Sequence, residues 1–240
     1  MTDGRALPPD REEADGGIWH AVSVGDFAGR PALFLDRDGV IIEDTHYLCR
    51  AEDMRLLSGA ADAIARCNRL GIPVVVVSNQ SGIARGLYDW QGFHTIQAAL
   101  AAALADAGAH IDAAFACAHH AEGGAPFNVA DHPWRKPNPG MILAAGLRMR
   151  VDLPRSWIVG DRPSDIAAGR AAGLEGGVLL APQVGDPQRA AAAALQGDRF
   201  RVEMATALAD AVSLLLARGR LGASQRGVSD SSATGSRSST

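Results

Sequence analysis

The sequence predicts an α/β fold, a doubly wound parallel sheet with helices on both faces. Short apolar segments alternate along the chain with longer segments whose apolar residues recur at helical spacing. A strand–helix–strand order of this kind builds a parallel sheet with right-handed crossovers. The composition agrees, because 47% apolar and 21% charged residues are typical of a globular protein.

The apolar and periodic segments predict five strands and five helices. The strands are expected at 32–35, 74–77, 111–117, 157–159 and 177–180, and the helices at 59–70, 90–107, 139–150, 166–172 and 202–217. The second strand is β-branched throughout, as in a parallel strand that is covered on both faces. Gly71 and Gly108 are placed to end the first two helices, and Pro139 suits the first turn of the third.

One domain is expected, over residues 30–218. Residues 1–29 are rich in Gly, Asp and Glu and predict a loosely ordered extension. Residues 219–240 are small and polar, and such a segment cannot bury enough surface to offset its chain entropy. We therefore expect a disordered tail at 219–240.

Bulk charge and cysteine content exclude several classes of function. A net charge of −4 and a pI near 6.0 argue against binding to nucleic acid or to an anionic membrane. No apolar run approaches the roughly 18 residues of a membrane helix, and the acidic start does not resemble a secretory signal. Three scattered cysteines do not form a disulfide framework. We expect a cytoplasmic monomer without a nucleic-acid or membrane partner.

Two carboxylates, Asp36 and Asp38, follow the first predicted strand, and Gly39 then allows a sharp turn. Carboxylates at the carboxyl end of a parallel strand can hold a divalent cation, and one of them can attack phosphorus. An ordinary acidic turn is the alternative, and the pattern alone does not decide between them.

Three further motifs stand at the edges of later elements. Ser78 follows the second strand in a loop with free amides and a glycine, which suits a phosphate. Lys136 precedes a helix and could neutralise a phosphoryl oxygen, and Asp161 follows the fourth strand. Each motif also has a purely structural alternative: a polar loop for Ser78, a solvated basic turn for Lys136 and a helix cap for the motif of Asp161. Their joint order at one sheet edge favours a catalytic site.

With these four motifs in this order, the chain resembles the haloacid dehalogenase (HAD) superfamily of phosphohydrolases, over about residues 31–183. Longer strings resemble its subfamily of D-glycero-D-manno-heptose 1,7-bisphosphate 7-phosphatases and histidinol-phosphatases. They lie at 34–39, 78–86, 117–120, 135–141 and 159–161. The most specific of them is NQSGIARG at 79–86. The resemblance implies a Rossmann-like core, and the short segments after the first and third strands leave no room for a separate cap domain.

The resemblance also implies roles for the motif residues. Asp36 would be the nucleophile that forms an aspartyl-phosphate, and Asp38 the general acid and base. Ser78 and Lys136 would bind the transferring phosphoryl group. Mg²⁺ would be held by Asp36, the backbone carbonyl of Asp38, and Asp161.

Supporting roles follow for several neighbours. Asp165 would orient Lys136 or a metal-bound water, and Arg162 stands where the superfamily most often has lysine, an exchange that we expect to be tolerated. Without a cap, the site should be open, and loop side chains should bind the substrate. The candidates for substrate binding are Asn79, Gln80, Arg85 and Arg135, together with the loop near 44–55.

In the resembled subfamily a loop carries structural zinc on a Cys-x-His pair and a later Cys-x-Cys pair. Cys117 and His119 match the first pair, whereas His132 and Trp134 replace the second. A zinc site of Cys117, His119 and His132 remains possible, with Asp131 or His120 as a fourth ligand. We favour loss of the zinc, with aromatic packing of the loop in its place.

The leading interpretation is a Mg²⁺-dependent phosphomonoesterase that acts on a sugar phosphate, with heptose 1,7-bisphosphate as the first candidate. Histidinol phosphate or another small metabolite phosphate is the alternative within this enzyme class. A non-catalytic phosphosugar-binding protein is the alternative outside it. A nucleic-acid end phosphatase is disfavoured, because the acidic chain has no basic stripe.

Overall fold

The structure is a computed structural model that describes residues 16–181 and 186–222 and the backbone of residues 11–12. Its strands are β1 (Arg11–Glu12), β2 (Ile18–Val22), β3 (Leu33–Leu35), β4 (Val74–Asn79), β5 (Ala113–Cys117), β6 (Trp157–Gly160), β7 (Gly176–Leu180) and β8 (Arg201–Ala205). Its helices are α1 (Ala60–Arg69), α2 (Ser81–Ala84), α3 (Trp90–Asp106), α4 (Gly140–Met149), α5 (Pro163–Ala171), α6 (Pro187–Ala193) and α7 (Leu208–Ala217).

The strands form one sheet in the order β1-β2-β5-β4-β3-β6-β7-β8. From β5 to β8 all neighbours are parallel, whereas β2 pairs with β5 in the antiparallel sense and β1 pairs with β2 likewise. This confirms the predicted doubly wound fold. The central strand is β3, and the residue after it therefore stands in the middle of the sheet's carboxyl edge.

Two apolar layers cover the sheet, because alternate residues of each strand face opposite sides. Leu33 and Leu35 face the layer to which α1, α3 and α7 contribute, and Phe34 faces the layer that contains α4, α5 and α6. The residues of β4 from 74 to 77 are at most 1% exposed, as expected for a strand covered on both faces. Cys67 lies in the first layer and Cys117 in the second, and neither forms a disulfide.

The N-terminal segment differs from its prediction. Residues 18–22 were expected to belong to a loosely ordered extension, yet they form β2, in which Trp19 is 3% exposed. They pair with β5 from Ile18 opposite Cys117 to Val22 opposite Ala113. The prediction is wrong there because Ile18, Trp19, Ala21 and Val22 supply enough apolar surface to cover an open sheet edge. Residues 1–10, 13–15 and 223–240 of the predicted extension and tail lie outside the described residues.

A second correction concerns the last predicted helix, at 202–217. Residues 201–205 are the edge strand β8, and the helix α7 begins only at Leu208. The alternation of polar and apolar residues in RVEMA fits an edge strand with one covered face. The apolar residues of this strand happen to continue the helical spacing of α7, so the two elements were predicted as one helix. The short helices α2 and α6 were not predicted.

The loops at the carboxyl edge contain little regular structure. Residues 36–59 carry one short 3₁₀ turn at Ala51–Asp53, and residues 118–139 carry no helix or strand. No cap domain is inserted at either point of the described chain, in agreement with the prediction. Within the described ranges no helix is long and apolar enough to cross a bilayer.

Candidate active site

The carboxyl edge of the sheet brings the motif residues together. Asp36 follows β3, Ser78 and Asn79 end β4, and Asp161 follows β6. Since β3 lies between β4 and β6, these residues emerge side by side. A cleft of about 620 Å³ opens at this edge of the sheet, and Asp36, Asn79 and Lys136 are among its lining residues.

Lys136 is buried at the centre of the site, with 4% of its surface exposed. Its Nζ lies 3.0 Å from Asp36 Oδ1 and 2.7 Å from Asp165 Oδ1, and it donates to the Val77 carbonyl at 2.8 Å. All three ammonium protons therefore have an acceptor. Burial alone would lower the pKa of Lys136, but the charges of Asp165 and Asp36 raise it above its ordinary value. The lysine is a fixed cation beside the first aspartate.

Three carboxylates form a candidate cation site next to this lysine. Among the described residues, Asp36, Asp161 and Asp165 are the one group of His, Cys, Asp or Glu side chains whose ligand atoms all lie within 4.8 Å of one another. Asp161 Oδ1 is buried and has no hydrogen-bond partner in the described chain. An unsatisfied buried oxygen among hard oxygen ligands fits Mg²⁺. Asp165 is partly committed already, since it accepts from the Arg162 amide at 3.0 Å besides binding Lys136.

The electrostatics of the cluster also favour a cation. Burial, only partly offset by Lys136, raises the pKa of Asp36 from 3.8 to about 7, and Asp165, Asp38 and Asp161 add to the rise. Burial, followed by the Asp165 charge, raises the pKa of Asp161 to about 6. A divalent cation would relieve this repulsion and hold both groups ionised.

This arrangement predicts a pH-dependent stabilisation by magnesium. A carboxyl group with a raised pKa stabilises the fold fully below its unfolded value, and the contribution is lost as the pH rises through the folded value. For Asp36 the window runs from about pH 4 to about pH 7. Metal-free protein should therefore lose stability across this window, and Mg²⁺ should raise Tm more at pH 7.5 than at pH 5. Calorimetry with MgCl₂, against NaCl of equal ionic strength, checks this, and equal shifts at both pH values would contradict it.

Gly39 leaves room for the cation site. Its φ of +77° lies in the left-handed region, and a Cβ there would stand 2.6 Å from Asp161 Oδ2. Only glycine satisfies both demands without strain. The turn after the first motif therefore lets the loop after β3 approach the carboxylate after β6.

Asp38 is held by a residue that the motif analysis passed over. Arg37 is 2% exposed, and its Nε and NH2 groups both donate to the Asp38 carboxylate at 3.0–3.3 Å. The same guanidinium donates to Gln80 and Gln97 and lies 5.5 Å from the centre of the Phe93 ring. The position of Arg37 between the two motif aspartates was the one sequence feature that could have predicted its contact with Asp38.

Gln80 links the two halves of the site. Its Nε2 donates to Ser78 Oγ at 2.7 Å and to Asp38 Oδ2 at 3.2 Å, and its Oε1 accepts from Tyr88 and Arg37. The side chain is buried, and all its polar atoms are engaged. Tyr88 was not predicted to belong to the site, because its hydroxyl reaches Gln80 through a side-chain contact that no sequence motif marks.

Asn79 has a similar supporting position. Its Nδ2 donates to the Lys136 carbonyl at 3.1 Å, and its Oδ1 accepts from the Lys136 amide at 3.0 Å. The amide therefore brackets the backbone of the lysine and joins the end of β4 to the loop before α4.

The two predicted substrate-binding arginines occupy different places. Arg135 lines the cleft and donates to the His119 carbonyl at 2.9 Å. Arg85 instead borders a neighbouring pocket of about 680 Å³, where it forms an ion pair of 2.6 Å with Glu122. Burial lowers the pKa of Arg135, and the Arg85 charge adds to this effect. The two cations are therefore near enough to interact, although only Arg135 borders the cleft.

The three residues of the possible zinc site lie near one another. The rings of His119 and His132 stack with centroids 4.0 Å apart, and Cys117 Sγ is 3.7 Å from His132 Nδ1. That same Nδ1 accepts from the Trp134 amide at 3.2 Å, and Trp134 packs against Phe115. The three residues do not form a group of ligand atoms within 4.8 Å in the described chain.

Comparison with known proteins places these features in a family. Residues 133–208 match the model of the HAD-hydrolase-like family. The D-glycero-beta-D-manno-heptose-1,7-bisphosphate 7-phosphatase of Mesorhizobium japonicum is 49% identical over 62% of this chain and 69% of its own length. The phosphatase of that name from Rhodopseudomonas palustris is 41% identical over 61% of this chain and 82% of its own.

Solved structures agree with this placement. A HAD-like phosphatase from Mesorhizobium loti superposes with a TM-score of 0.79 at 39% identity, over 91% of this chain and 100% of its own. The D,D-heptose 1,7-bisphosphate phosphatase of B. bronchiseptica, solved with magnesium and phosphate, gives 0.66 at 32% identity, over 78% and 99%. The chain therefore belongs to the family of HAD-like hydrolases that includes the D-glycero-D-manno-heptose-1,7-bisphosphate 7-phosphatases.

Proposed function

We propose that this protein is a Mg²⁺-dependent phosphomonoesterase that removes the 7-phosphate of D-glycero-D-manno-heptose 1,7-bisphosphate. The observation that carries the proposal is the convergence of Asp36, Lys136 and Asp161 at one sheet edge, in a chain 35–49% identical to phosphatases named for that substrate. An aspartate beside a fixed cation and a carboxylate cluster is suited to phosphoryl transfer.

In the first step, an oxygen of Asp36 attacks phosphorus, and the bond from phosphorus to the sugar oxygen breaks. Asp38 donates a proton to that leaving oxygen, so that the sugar departs as a neutral alcohol. The product on the protein is an aspartyl-phosphate.

In the second step, Asp38 takes a proton from a water molecule, and this water attacks the phosphorus of the aspartyl-phosphate. The bond to Asp36 breaks, its carboxylate is restored, and inorganic phosphate leaves. The contacts of Asp38 with Arg37 and Gln80 fix the position of its carboxylate. Asp38 lies near enough to the nucleophile for its charge to help raise the pKa of Asp36.

The transferring phosphoryl group is stabilised by Lys136 and Ser78. The ammonium already stands 3.0 Å from Asp36 Oδ1 and needs little reorganisation when charge develops on phosphorus. Asp36, the carbonyl of Asp38, and Asp161 would hold Mg²⁺, with Asp165 in support. When bound, the cation offsets the repulsion between the Asp36 carboxylate and the anionic phosphate.

The contacts divide the predicted substrate-binding residues into two roles. Arg135 borders the cleft and is the candidate for direct contact with the substrate. Asn79 and Gln80 act by positioning other residues of the site. The Asn79 amide holds the backbone of Lys136, and the Gln80 amide holds Ser78 and Asp38. Arg85 would reach a substrate only after release from Glu122.

The substrate proposal is tested by phosphate release from a panel of esters in the presence of Mg²⁺. The panel contains both anomers of heptose 1,7-bisphosphate, heptose 7-phosphate, hexose phosphates and histidinol phosphate. A heptose bisphosphate should have the highest kcat/KM, and EDTA should abolish its turnover. A higher kcat/KM for histidinol phosphate would overturn the substrate, and absence of turnover on every ester would overturn the activity.

We further propose that the loop at 118–134 is held without structural zinc. The stacking of His119 on His132 and the packing of Trp134 on Phe115 support this, since ring contacts of this kind can hold a loop without a metal. Protein purified from zinc-supplemented medium should contain well below one zinc per chain by mass spectrometry. Stoichiometric zinc that disappears in the variant Cys117→Ser would contradict the proposal.

A further inference from the structure

One side of the cleft is formed by an exposed loop, residues 43–48, which we call the rim loop. Residues 43–47 are exposed, and Asp44, His46, Tyr47 and Leu48 line the cleft. The loop ends at Leu48, which is 6% exposed and belongs to the core. Its far end is thus fixed by burial, whereas the part that faces a substrate needs another anchor.

Asp44 provides that anchor with both carboxylate oxygens. Oδ1 accepts from the His46 amide at 2.8 Å and closes a turn in which His46 has a φ of +70°. A non-glycine residue in the left-handed region is strained, so the turn needs a local stabilising contact. Oδ2 accepts from Arg162 NH2 at 3.0 Å, which joins the rim loop to the loop after β6.

Arg162 connects this anchor to the catalytic carboxylates. Its Nε lies 3.9 Å from Asp161 Oδ2, and its backbone amide donates to Asp165 at 3.0 Å. The guanidinium directs separate N–H groups of its planar fork at Asp44 and Asp161, a geometry that a lysine ammonium does not reproduce. The position of the rim loop is therefore tied to the carboxylates at the floor of the cleft.

We propose that the Asp44–Arg162 ion pair holds the rim loop against the bound sugar, and that these two residues determine substrate specificity by positioning His46 and Tyr47. The inference rests on the proposed function, since it assigns the leaving group's binding surface in that same site. Because Asp36 and the rim loop line the same cleft, a sugar phosphate attacked by Asp36 would extend toward the rim, whereas a very small acyl phosphate would stay at the floor. The ion pair should therefore matter for the first and not for the second.

The size of the effect follows from the exposure of the pair. The Arg162 side chain is 60% exposed and that of Asp44 is 25% exposed, so solvent and salt screen their attraction. Exposed pairs typically change an equilibrium constant by about two- to fivefold. We therefore expect a change in KM rather than a loss of turnover.

The experiment is a double-mutant cycle of Asp44→Asn and Arg162→Lys in the full chain. Each variant should raise the KM for heptose 1,7-bisphosphate by about two- to fivefold, with kcat nearly unchanged. The double variant should resemble either single variant, because both remove one contact. Acetyl phosphate, whose leaving group is too small to reach the rim, should show no change in KM. An unchanged KM for the bisphosphate, or effects that add in the double variant, would overturn the proposal.

A matched control is Arg155→Lys. Arg155 forms an exposed pair of 3.5 Å with Asp152 near the start of β6, at the opposite end of the sheet from the cleft. This variant should leave both KM values unchanged. An increase as large as that of Arg162→Lys would overturn the assignment to the rim loop.

Hydrogen exchange separates failure of this inference from failure of the proposed function. Amides of residues 45–48 should exchange faster in Asp44→Asn and in Arg162→Lys, whether or not any ester is hydrolysed. Exchange equal to that of the wild type would sink the anchoring role. Absence of phosphate release from every ester, with faster exchange in both variants, would overturn the proposed function and leave the anchor supported.

Discussion

Replacing Asp36 by asparagine is expected to reduce kcat by at least about 10⁴-fold. The amide has nearly the shape of the carboxylate but cannot attack phosphorus. The fold should survive, because Asp36 is one of several carboxylates crowded at the site and its own pKa is raised to about 7 by burial and by these neighbours. Phosphate release and thermal unfolding of the same preparation measure both effects.

The matched control for this variant is Asp106→Asn. Asp106 is an exposed residue at the end of α3, remote from the cleft. Its loss of charge should leave kcat and Tm near those of the wild type. More than about a tenth of wild-type turnover in Asp36→Asn would show that another group attacks phosphorus.

Replacing Lys136 by methionine is expected to damage stability and activity together. The substitution leaves Asp36 and Asp165 buried without their shared cation, and the Val77 carbonyl loses a donor. Removing one partner of a buried ion pair costs about 3–5 kcal/mol. The loss of a fixed positive charge at the phosphoryl group should lower kcat by about 10²–10³-fold. Urea unfolding and initial-rate assays give the two numbers.

Two further variants separate these effects. Lys136→Met combined with Asp165→Asn removes one of the stranded carboxylates, so it should recover part of the stability and none of the activity. Lys136→Arg keeps the charge, but a guanidinium is too large for a pocket that surrounds the ammonium with three acceptors. The other basic side chains of the chain are arginines, since Lys136 is the only lysine among 23 Lys and Arg residues, so the exchange tests whether this position requires an ammonium group. Wild-type activity in Lys136→Arg would contradict this reading of the pocket.

The central part of the fold could be predicted from the sequence because its signals are local. The β-branched run at 74–77 indicates a covered strand, and Gly108, further along the chain, indicates where a helix ends. Motif residues at strand ends then locate the site, since parallel strands share a carboxyl edge. Strand β2 could not be predicted, because Ile18–Val22 is one short apolar segment between polar ones. Its role depends on an open edge at β5 that no local pattern reveals.

The supporting contacts of the site could not be predicted for a similar reason. Arg85 stands in the most specific string of the sequence, yet its partner is Glu122, in a different loop. Arg37 and Tyr88 reach Asp38 and Gln80 through side-chain contacts that depend on packing. Spacing along the chain indicates which candidate residues meet at one sheet edge, but the pairing of side chains across loops follows only from the folded backbone.

The antiparallel strand β2 also bears on the order in which the chain folds. Ile18 pairs with Cys117, so β2 is synthesised well before its partner strand β5. During synthesis the apolar face of Ile18–Val22 must wait until β5 and its neighbour β4 have formed. Closing so long a loop is slow compared with the local strand–helix steps. The parallel core should therefore assemble first, and β2 should join it last.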